Sequence, residues 1–189
     1  MLKQKAFTLI ELMITLIVIA VLAAITYPNY RRYMEKRDLA VAQQEAQHLA
    51  SELERFKAKN FSYKGFDASY IYNYNAGTVT PYDATTGSLL LPLDATSTTA
   101  KYTLTLLDAT QHLPLSILKG SDGNETADSA KVQGLNWVII VERAKNSSGE
   151  PKQANNYDLL INSDGFRCMT KVKNVVSGYT DCGSNSETW

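Results

Sequence analysis

The sequence predicts an α+β fold in which a long N-terminal helix packs on an antiparallel sheet of about four strands. Three observations support this prediction: an apolar run near the start of the 189-residue chain, an amphipathic stripe that follows it, and strand-like segments with a tight-turn signal in the second half. A chain of this length has room for one ordinary domain and an N-terminal extension. We therefore expect one globular head after the helix.

The apolar run extends over residues 7–27, and Glu11 is its only charged residue. As a helix, these 21 residues would span about 30 Å, which is the thickness of the hydrocarbon core of a bilayer. The leader before the run is basic, which predicts that the leader stays in the cytoplasm. The rest of the chain then lies outside the cytoplasm, where Cys168 and Cys182 can form a disulfide.

The carboxylate of Glu11 bears on three interpretations of this run. A charged side chain at the centre of a bilayer costs on the order of 2.5–3.5 kcal/mol, so a plain membrane anchor is unattractive. A secretory signal peptide has the right basic start, but a carboxylate early in the run and the absence of a clear A-x-A cleavage site count against it. The third interpretation rests on a resemblance.

The stretch AFTLIELMITLIVIAVLAAITYPNY resembles the type III signal of type IV prepilins and type II secretion pseudopilins. It has FTLIE beginning at Phe7 and a proline, Pro28, near the end of the helix, but Ala6 stands where the family has Gly. The resemblance implies cleavage by a prepilin peptidase between Ala6 and Phe7 and methylation of the new amino group on Phe7. It also implies that Glu11 neutralises the amino terminus of a neighbouring subunit during assembly. Thr8 either takes part in that assembly or caps its own helix.

Around Pro28 we expect a kink or local melting, and beyond it the helix becomes amphipathic. Apolar residues recur at alternating spacings of three and four, which predicts one buried stripe: Leu39, Ala42, Ala46, Leu49, Leu53 and Phe56. The acidic residues Glu45, Glu52 and Glu54 lie outside this stripe and are interpreted as solvated. We expect the helix to end near Asn60.

A cluster of basic residues follows the apolar run: Arg31, Arg32, Lys36 and Arg37. Two interpretations remain open for it. The cluster contacts lipid headgroups and water at the membrane surface, or it forms salt bridges and anion contacts between subunits of a filament. Because this cluster is basic like the leader, the orientation in the membrane rests mainly on the motif.

The remaining sequence predicts the sheet of the head. Residues 60–100 are rich in turn formers and aromatic residues, and we expect a long connection with short extended pieces. Five tyrosines of this connection are interpreted as packing residues: Tyr63, Tyr70, Tyr72, Tyr74 and Tyr82. Apolar alternation and β-branched runs predict four strands, at residues 101–107, 135–141, 157–162 and 166–170. The last two flank Asp164-Gly165, which predicts a hairpin.

Two features of the head extend the resemblance. ERFKAKNFSYKGF, at residues 54–66, is similar to the end of the first helix in PilE-type minor pilins and their DNA-uptake relatives. Type IV pilins enclose a C-terminal region with a bridge like one between Cys168 and Cys182, whereas major type II pseudopilins generally carry a calcium loop instead. In DNA-uptake minor pilins, basic residues near this bridge contact DNA phosphates; here they would be Arg167, Lys171 and Lys173.

The sequence contains no clear signal of a catalytic, metal-binding or nucleic-acid-binding site. His48 and His112 have no nearby Cys and no metalloprotease spacing, so no catalytic residue is predicted. The acidic stretch at residues 120–129 lacks the EF-hand spacing and is interpreted as a solvated turn, so no metal and no cofactor are expected. From Asn60 onward the chain has ten basic and thirteen acidic residues, which gives no general nucleic-acid signal.

The resemblance therefore implies a type IV pilin fold and a PilE-like minor pilin of a Gram-negative bacterium, a structural protein and not an enzyme. Its role would lie in pilus assembly, twitching motility, adhesion or natural transformation; a DNA-binding competence pilin and a type II secretion pseudopilin are the alternatives. Its partners would be other pilins through the N-terminal helix, the prepilin peptidase and methylase, and, on a weaker resemblance, DNA. It would sit in the inner membrane with a periplasmic head before assembly, and then in an extracellular pilus.

The same interpretation divides the chain into four parts. Residues 1–6 are the leader removed by the peptidase, and residues 7–28 form the transmembrane and filament-core helix. Residues 29–59 continue as the amphipathic helix. Residues 60–189 form the globular head with its C-terminal disulfide loop.

Overall fold

A computed structural model describes residues 7–72 and 81–189. The chain divides into two compact units, residues 1–37 and residues 38–189. Helix α1 runs from Leu9 to Asn60, and it ends where the sequence predicts. Phe61 closes it in a left-handed conformation, with its N–H donating to the carbonyl oxygen of Lys57 at 2.7 Å. Tyr74 lies outside the described residues.

In the first unit, the described residues belong almost entirely to α1, and the side chains of residues 7–33 are exposed. The helix continues through Pro28 without interruption, so the local melting expected there is absent from the described helix. The side-chain amide of Asn29 donates to the carbonyl oxygen of Ile25 at 3.2 Å. The kink at Pro28 stays a prediction.

In the second unit, the predicted stripe of α1 packs into the core of the head. Ala42, Ala46, Leu49 and Leu53 are fully buried, and the two residues at the ends of the stripe, Leu39 and Phe56, are partly buried against the same core. The 3-and-4 spacing therefore identified the packed face of the helix correctly.

The head contains one antiparallel sheet in which each strand pairs with the next along the chain. Its strands are β1 (Tyr82–Asp83), β2 (Ser88–Leu91), β3 (Tyr102–Asp108), β4 (Trp137–Arg143), β5 (Asp158–Asn162) and β6 (Arg167–Thr170). Short helices lie at α2 (Ser69–Tyr72) and α3 (Ala127–Lys131), with a 3-10 turn at Val176–Gly178. The α+β prediction is confirmed, with six strands in place of about four.

The two additional strands are β1 and β2, which lie in the stretch interpreted as a connection with short extended pieces. They are two and four residues long, too short to show a period in the sequence. Gly87 makes their turn possible, because it adopts a φ of +69° and a Cβ there would collide with the carbonyl oxygen of Leu106.

Both faces of the sheet are covered. One face packs on α1 through residues such as Leu104, Ile139 and Ile161. The other face includes Ile140 and Leu160 and is covered by the disulfide segment. This explains why β4 is a continuous apolar run, since residues pointing to either side are buried.

The acidic residues beside the stripe hold the connection against the helix. Each accepts a hydrogen bond from one tyrosine hydroxyl: Glu54 from Tyr63 at 2.7 Å, Glu52 from Tyr70 at 3.3 Å, and Glu45 from Tyr72 at 3.0 Å. Burial, and then the charge of Glu45, raise the pKa of the Tyr72 hydroxyl well above its usual range. The interpretation of these acids as merely solvated is therefore wrong, because spacing along a helix cannot show what a later loop donates to it.

A buried ion pair joins the last three strands. The guanidinium of Arg143, which is 2% exposed, donates to both carboxylate oxygens of Asp158, at 2.9 and 3.1 Å. Its remaining N–H groups donate to the carbonyl oxygens of Ala154, Asn156 and Lys171, at 3.0, 2.8 and 2.8 Å. Because the buried guanidinium is bonded on all sides, it ties β4, β5 and the end of β6 together.

We expect Asp158→Ala to lower the free energy of unfolding by about 3–5 kcal/mol, because it leaves the buried guanidinium without its counter-charge. The measurement is urea unfolding of the whole chain in detergent. Glu150→Ala is the matched control, because its exposed ion pair with Lys173 at 2.6 Å contributes at most about 1 kcal/mol. Equal losses in the two variants would contradict this account of the buried pair.

Candidate functional site

The start of α1 is capped by Thr8. The hydroxyl oxygen of Thr8 accepts a hydrogen bond from the backbone N–H of Glu11 at 3.3 Å, and its carbonyl oxygen accepts one from the N–H of Leu12 at 3.3 Å. Threonine at the N-cap and glutamate three residues later is the sequence of a capping box. The structure thus shows the local capping role of Thr8, and a role for it in assembly stays a prediction.

Glu11 lies in the first turn of α1 with an exposed side chain. A carboxylate in the first turn is favoured by the helix dipole, which is positive at that end. In the part of the chain that the structure describes, the carboxylate of Glu11 has no ion-pair or hydrogen-bond partner. Its charge is therefore available to a cation that comes from elsewhere.

The surface around this carboxylate is apolar on every side of the helix. None of the residues 7–26 is buried, and between Phe7 and Tyr30 Glu11 is the one charged residue. Within the described residues, α1 is the one helix long and apolar enough to cross a membrane. An exposed apolar surface of this extent needs a cover, either lipid or other helices.

The expected processing site lies at the edge of the described residues. Phe7 is the first of them and is exposed, whereas Ala6 and the rest of the leader lie outside them. Cleavage between these two residues and methylation of Phe7 therefore stay predictions.

The C-terminal end of the head is held by a disulfide. Cys168 on β6 is bonded to Cys182, with 5.9 Å between the Cα atoms, so the disulfide prediction is confirmed. Beyond the bridge, Glu187 exchanges two backbone hydrogen bonds with Met169, at 2.7 and 2.9 Å. The indole N–H of Trp189 donates to the carbonyl oxygen of Cys168 at 2.9 Å. Glu187 and Trp189 therefore cover the free edge of β6. No pattern in the sequence predicts these contacts.

The three basic residues considered for DNA contact have separate local partners. Arg167 lies over the Trp189 ring at 5.9 Å, Lys171 lies over the Tyr157 ring at 4.8 Å, and Lys173 pairs with Glu150 at 2.6 Å. Each cation is thus engaged within the head, and these contacts provide no case for a shared phosphate site.

The acidic stretch at residues 120–129 forms a turn that leads into α3. Its Glu125 pairs with Lys64 at 2.9 Å, and the hydrogen bond from Lys64 lowers the pKa of the Glu125 carboxyl. Thr126 caps α3 by accepting from the N–H of Ser129. Across residues 7–72 and 81–189, no three His, Cys, Asp or Glu side chains are grouped closely enough to hold a metal.

A shallow groove of about 440 Å³ lies beside the core of the head. Its walls come from α1 at Ala50 and Glu54, from Trp137 and Ile161 of the sheet, and from Arg167. The indole N–H of Trp137 donates to Glu54 at 3.3 Å, whereas the buried hydroxyl of Ser163 has no hydrogen-bond partner within the described part of the chain.

The comparisons with known proteins agree with the N-terminal motif. The family described as "Prokaryotic N-terminal methylation motif" matches residues 1–27. Over 61 residues, the chain is similar to the type II secretion system core protein G of Pseudomonas aeruginosa at 31% identity, of Escherichia coli K12 at 36% and of Dickeya chrysanthemi at 34%. No solved structure matches the chain.

The similarity to these relatives is partial. The matched residues are 32% of this chain and 43%, 42% and 40% of the three relatives, so the chain spans less than half the length of the proteins it matches. About two thirds of the chain, including most of the head, lies outside the matched residues.

We expect Thr8→Ala to weaken the first turn of α1 by about 1 kcal/mol, because the hydroxyl that satisfies the Glu11 N–H is lost. Amide hydrogen exchange in detergent micelles should then be about fivefold faster at Glu11 and Leu12, whose N–H groups bond to Thr8, and unchanged in the head. Thr8→Ser keeps the hydroxyl and should exchange like the parent. Equal protection in the alanine and serine variants would show that the cap has no effect.

Proposed function

Because the chain carries the N-terminal region of a type IV pilin-like prepilin, we propose that it is a structural minor pilin of a type IV pilus. The observation that carries the proposal is a carboxylate, Glu11, on an exposed helix that is otherwise uncharged from Phe7 to Tyr30. A prepilin peptidase cleaves between Ala6 and Phe7, and a methylase modifies the amino group of Phe7. The helix then leaves the inner membrane and packs among the helices of neighbouring subunits.

The electrostatics of the Glu11 carboxylate supports this order of events. Cleavage creates an amino group four residues before Glu11, at the start of the same helix. In a bundle of such helices, the amine of one subunit pairs with the Glu11 carboxylate of the next, and neither charge is left uncompensated in an apolar environment. Within one subunit, the Thr8 cap fixes the backbone between the two groups.

The division of the chain follows from this proposal. Residues 1–6 are the leader, residues 7–28 cross the membrane and later fill the filament core, and residues 29–59 carry the stripe on which the head packs. Residues 60–189 face the periplasm before assembly and the outside of the cell afterwards. The role is structural, as in pilin and pseudopilin families, and the chain is a substrate of the two processing enzymes.

A pilus and a secretion system are the two places where such a subunit would work. The disulfide between Cys168 and Cys182, which closes the C-terminal segment onto β6, supports the pilus. The similarity to type II secretion core proteins supports a pseudopilin as the second candidate. A DNA receptor is not proposed, because Arg167, Lys171 and Lys173 are engaged within the head and the comparisons give no support for it.

Processing tests the proposal directly. In membranes that contain an active prepilin peptidase and methylase, the mass of the chain should change to that of residues 7–189 with one added methyl group. Ala6→Gly restores the residue that the family has before the cleaved bond, so its processed fraction should be higher. A chain that keeps residues 1–6, while a known prepilin is processed in the same membranes, would contradict the proposal.

Deletion of the gene in its host separates the two candidates. A minor pilin should leave protein secretion unchanged and reduce surface pili or twitching motility, and the cloned gene should restore them. Retention of secreted enzymes in the periplasm, with normal pili, would favour the pseudopilin and contradict the pilus.

A further inference from the structure

We propose that the segment Tyr27–Arg37 is an interfacial belt that binds the phosphate headgroups of anionic lipids while the subunit is in the membrane, before assembly. The belt comprises three tyrosines and the basic cluster that follows the apolar run. The inference rests on the proposed function, because it requires the apolar run to be inserted in a bilayer. The sequence left two interpretations of the basic cluster open, lipid headgroups or neighbouring subunits. The proposal chooses the first and names anionic lipids as the ligand.

The position of the belt follows from helix geometry. α1 is continuous over this region, so each residue advances about 1.5 Å along its axis. Tyr27 therefore lies about 30 Å from Phe7, at the far boundary of a hydrocarbon core that begins at Phe7. Tyr30 and Arg31 lie about 5 Å further out, within the headgroup layer. Beyond them, the long side chain of Lys36 can reach back toward that layer.

The tyrosines have the properties of interface residues. Tyr27, Tyr30 and Tyr33 are 66%, 59% and 68% exposed. In the residues that the structure describes, their hydroxyl groups form no hydrogen bond. An aromatic ring with a free hydroxyl is most stable where apolar chains meet polar headgroups, and tyrosine is enriched at that depth in membrane proteins.

The basic residues surround the helix. At about 100° per residue, Arg32, Lys36 and Arg37 lie roughly 100°, 140° and 240° around the axis from Arg31. Glu35 is the one acidic residue from Tyr27 to Arg37, which leaves a net charge of +3. Lipids contact a helix on all sides, so this distribution of charge suits lipid headgroups, and its positive sign favours anionic ones.

Competition between two lipid surfaces tests the belt. The whole chain is diluted from detergent into a mixture of vesicles of phosphatidylcholine alone and vesicles that also contain phosphatidylglycerol, and the two populations are separated by density. The wild-type chain should prefer the anionic vesicles, and added salt should reduce the preference. In the triple variant Arg31→Gln, Arg32→Gln, Lys36→Gln the preference should fall by about fivefold for each charge removed, toward a ratio of one.

A matched variant controls for net charge. Lys59→Gln, Lys101→Gln, Lys119→Gln removes the same charge from three exposed positions outside the belt, and it should keep the wild-type ratio. A control that loses as much preference as the belt variant would overturn the inference, and so would a wild-type chain without preference. Failure to enter either vesicle would contradict the proposed membrane stage itself, whereas insertion without preference contradicts the belt alone.

A depth measurement checks the position independently of charge. Both cysteines of the chain form the disulfide, so one added cysteine can be labelled selectively. A fluorophore at Tyr30→Cys should be quenched by lipids brominated near the headgroup more than by lipids brominated deep in the chain. A fluorophore at Ser147→Cys in the head should be quenched by neither. Stronger quenching at Tyr30→Cys from the deep lipids, or none from either, would overturn the placement.

Discussion

The burial of one carboxylate is the constraint on which the proposed assembly depends. Glu11 sits on a helix whose surrounding side chains are all uncharged and exposed, so any cover for that helix also covers the charge. The cost of a lone carboxylate reaches on the order of 2.5–3.5 kcal/mol at the centre of a bilayer, which is the upper limit for Glu11 near the edge of the apolar run. In the proposal, the amino terminus of a neighbouring subunit offsets this cost, and that terminus lies in the apolar layer only after residues 1–6 are removed. In the proposed assembly, a single ion pair therefore links cleavage to assembly.

The fold of the head is stabilised by a buried core, hydrogen bonds and one buried ion pair. Its core is complete within residues 38–189: the stripe of α1 covers one face of the sheet and the disulfide segment covers the other. Hydrogen bonds from three tyrosines hold the connection on the helix, and the Arg143–Asp158 pair holds the last strands together. None of the residues 7–26 is buried, and the proposal places this apolar run in lipid and, after processing, among other subunits. In the proposed belt, Tyr30 and Arg31 mark where these two environments meet.

The sequence predicted the elements that have long, regular patterns. The stripe from Leu39 to Phe56 and the strands β3 to β5 follow from apolar patterns that are long enough to recognise, and β6, which is only four residues long, follows from the tight-turn signal at Asp164-Gly165. The end of α1 near Asn60 was also predicted correctly. The short strands β1 and β2 could not be found in this way. Contacts between residues far apart in the sequence could not be predicted either, because no local pattern encodes them. Examples are the hydrogen bonds of Glu54 with Tyr63 and Trp137, and that of Trp189 with the carbonyl oxygen of Cys168. For the candidate site, the motif identified the residues, and the structure confirmed the helix cap that was one of the two interpretations of Thr8.

The contact between Glu11 and a neighbouring amino terminus can be measured directly in assembled filaments. Subunits labelled with ¹³C in the glutamate carboxyl groups are mixed with subunits labelled with ¹⁵N at phenylalanine, and solid-state NMR detects pairs of labels that lie close together in different subunits. The account predicts a cross-peak between the Glu11 carboxyl carbon and the methylated amine of Phe7, at a separation of about 4 Å. It also predicts that this cross-peak disappears when each filament contains only one of the two labels. Filaments that form without any such contact would contradict the central role of Glu11.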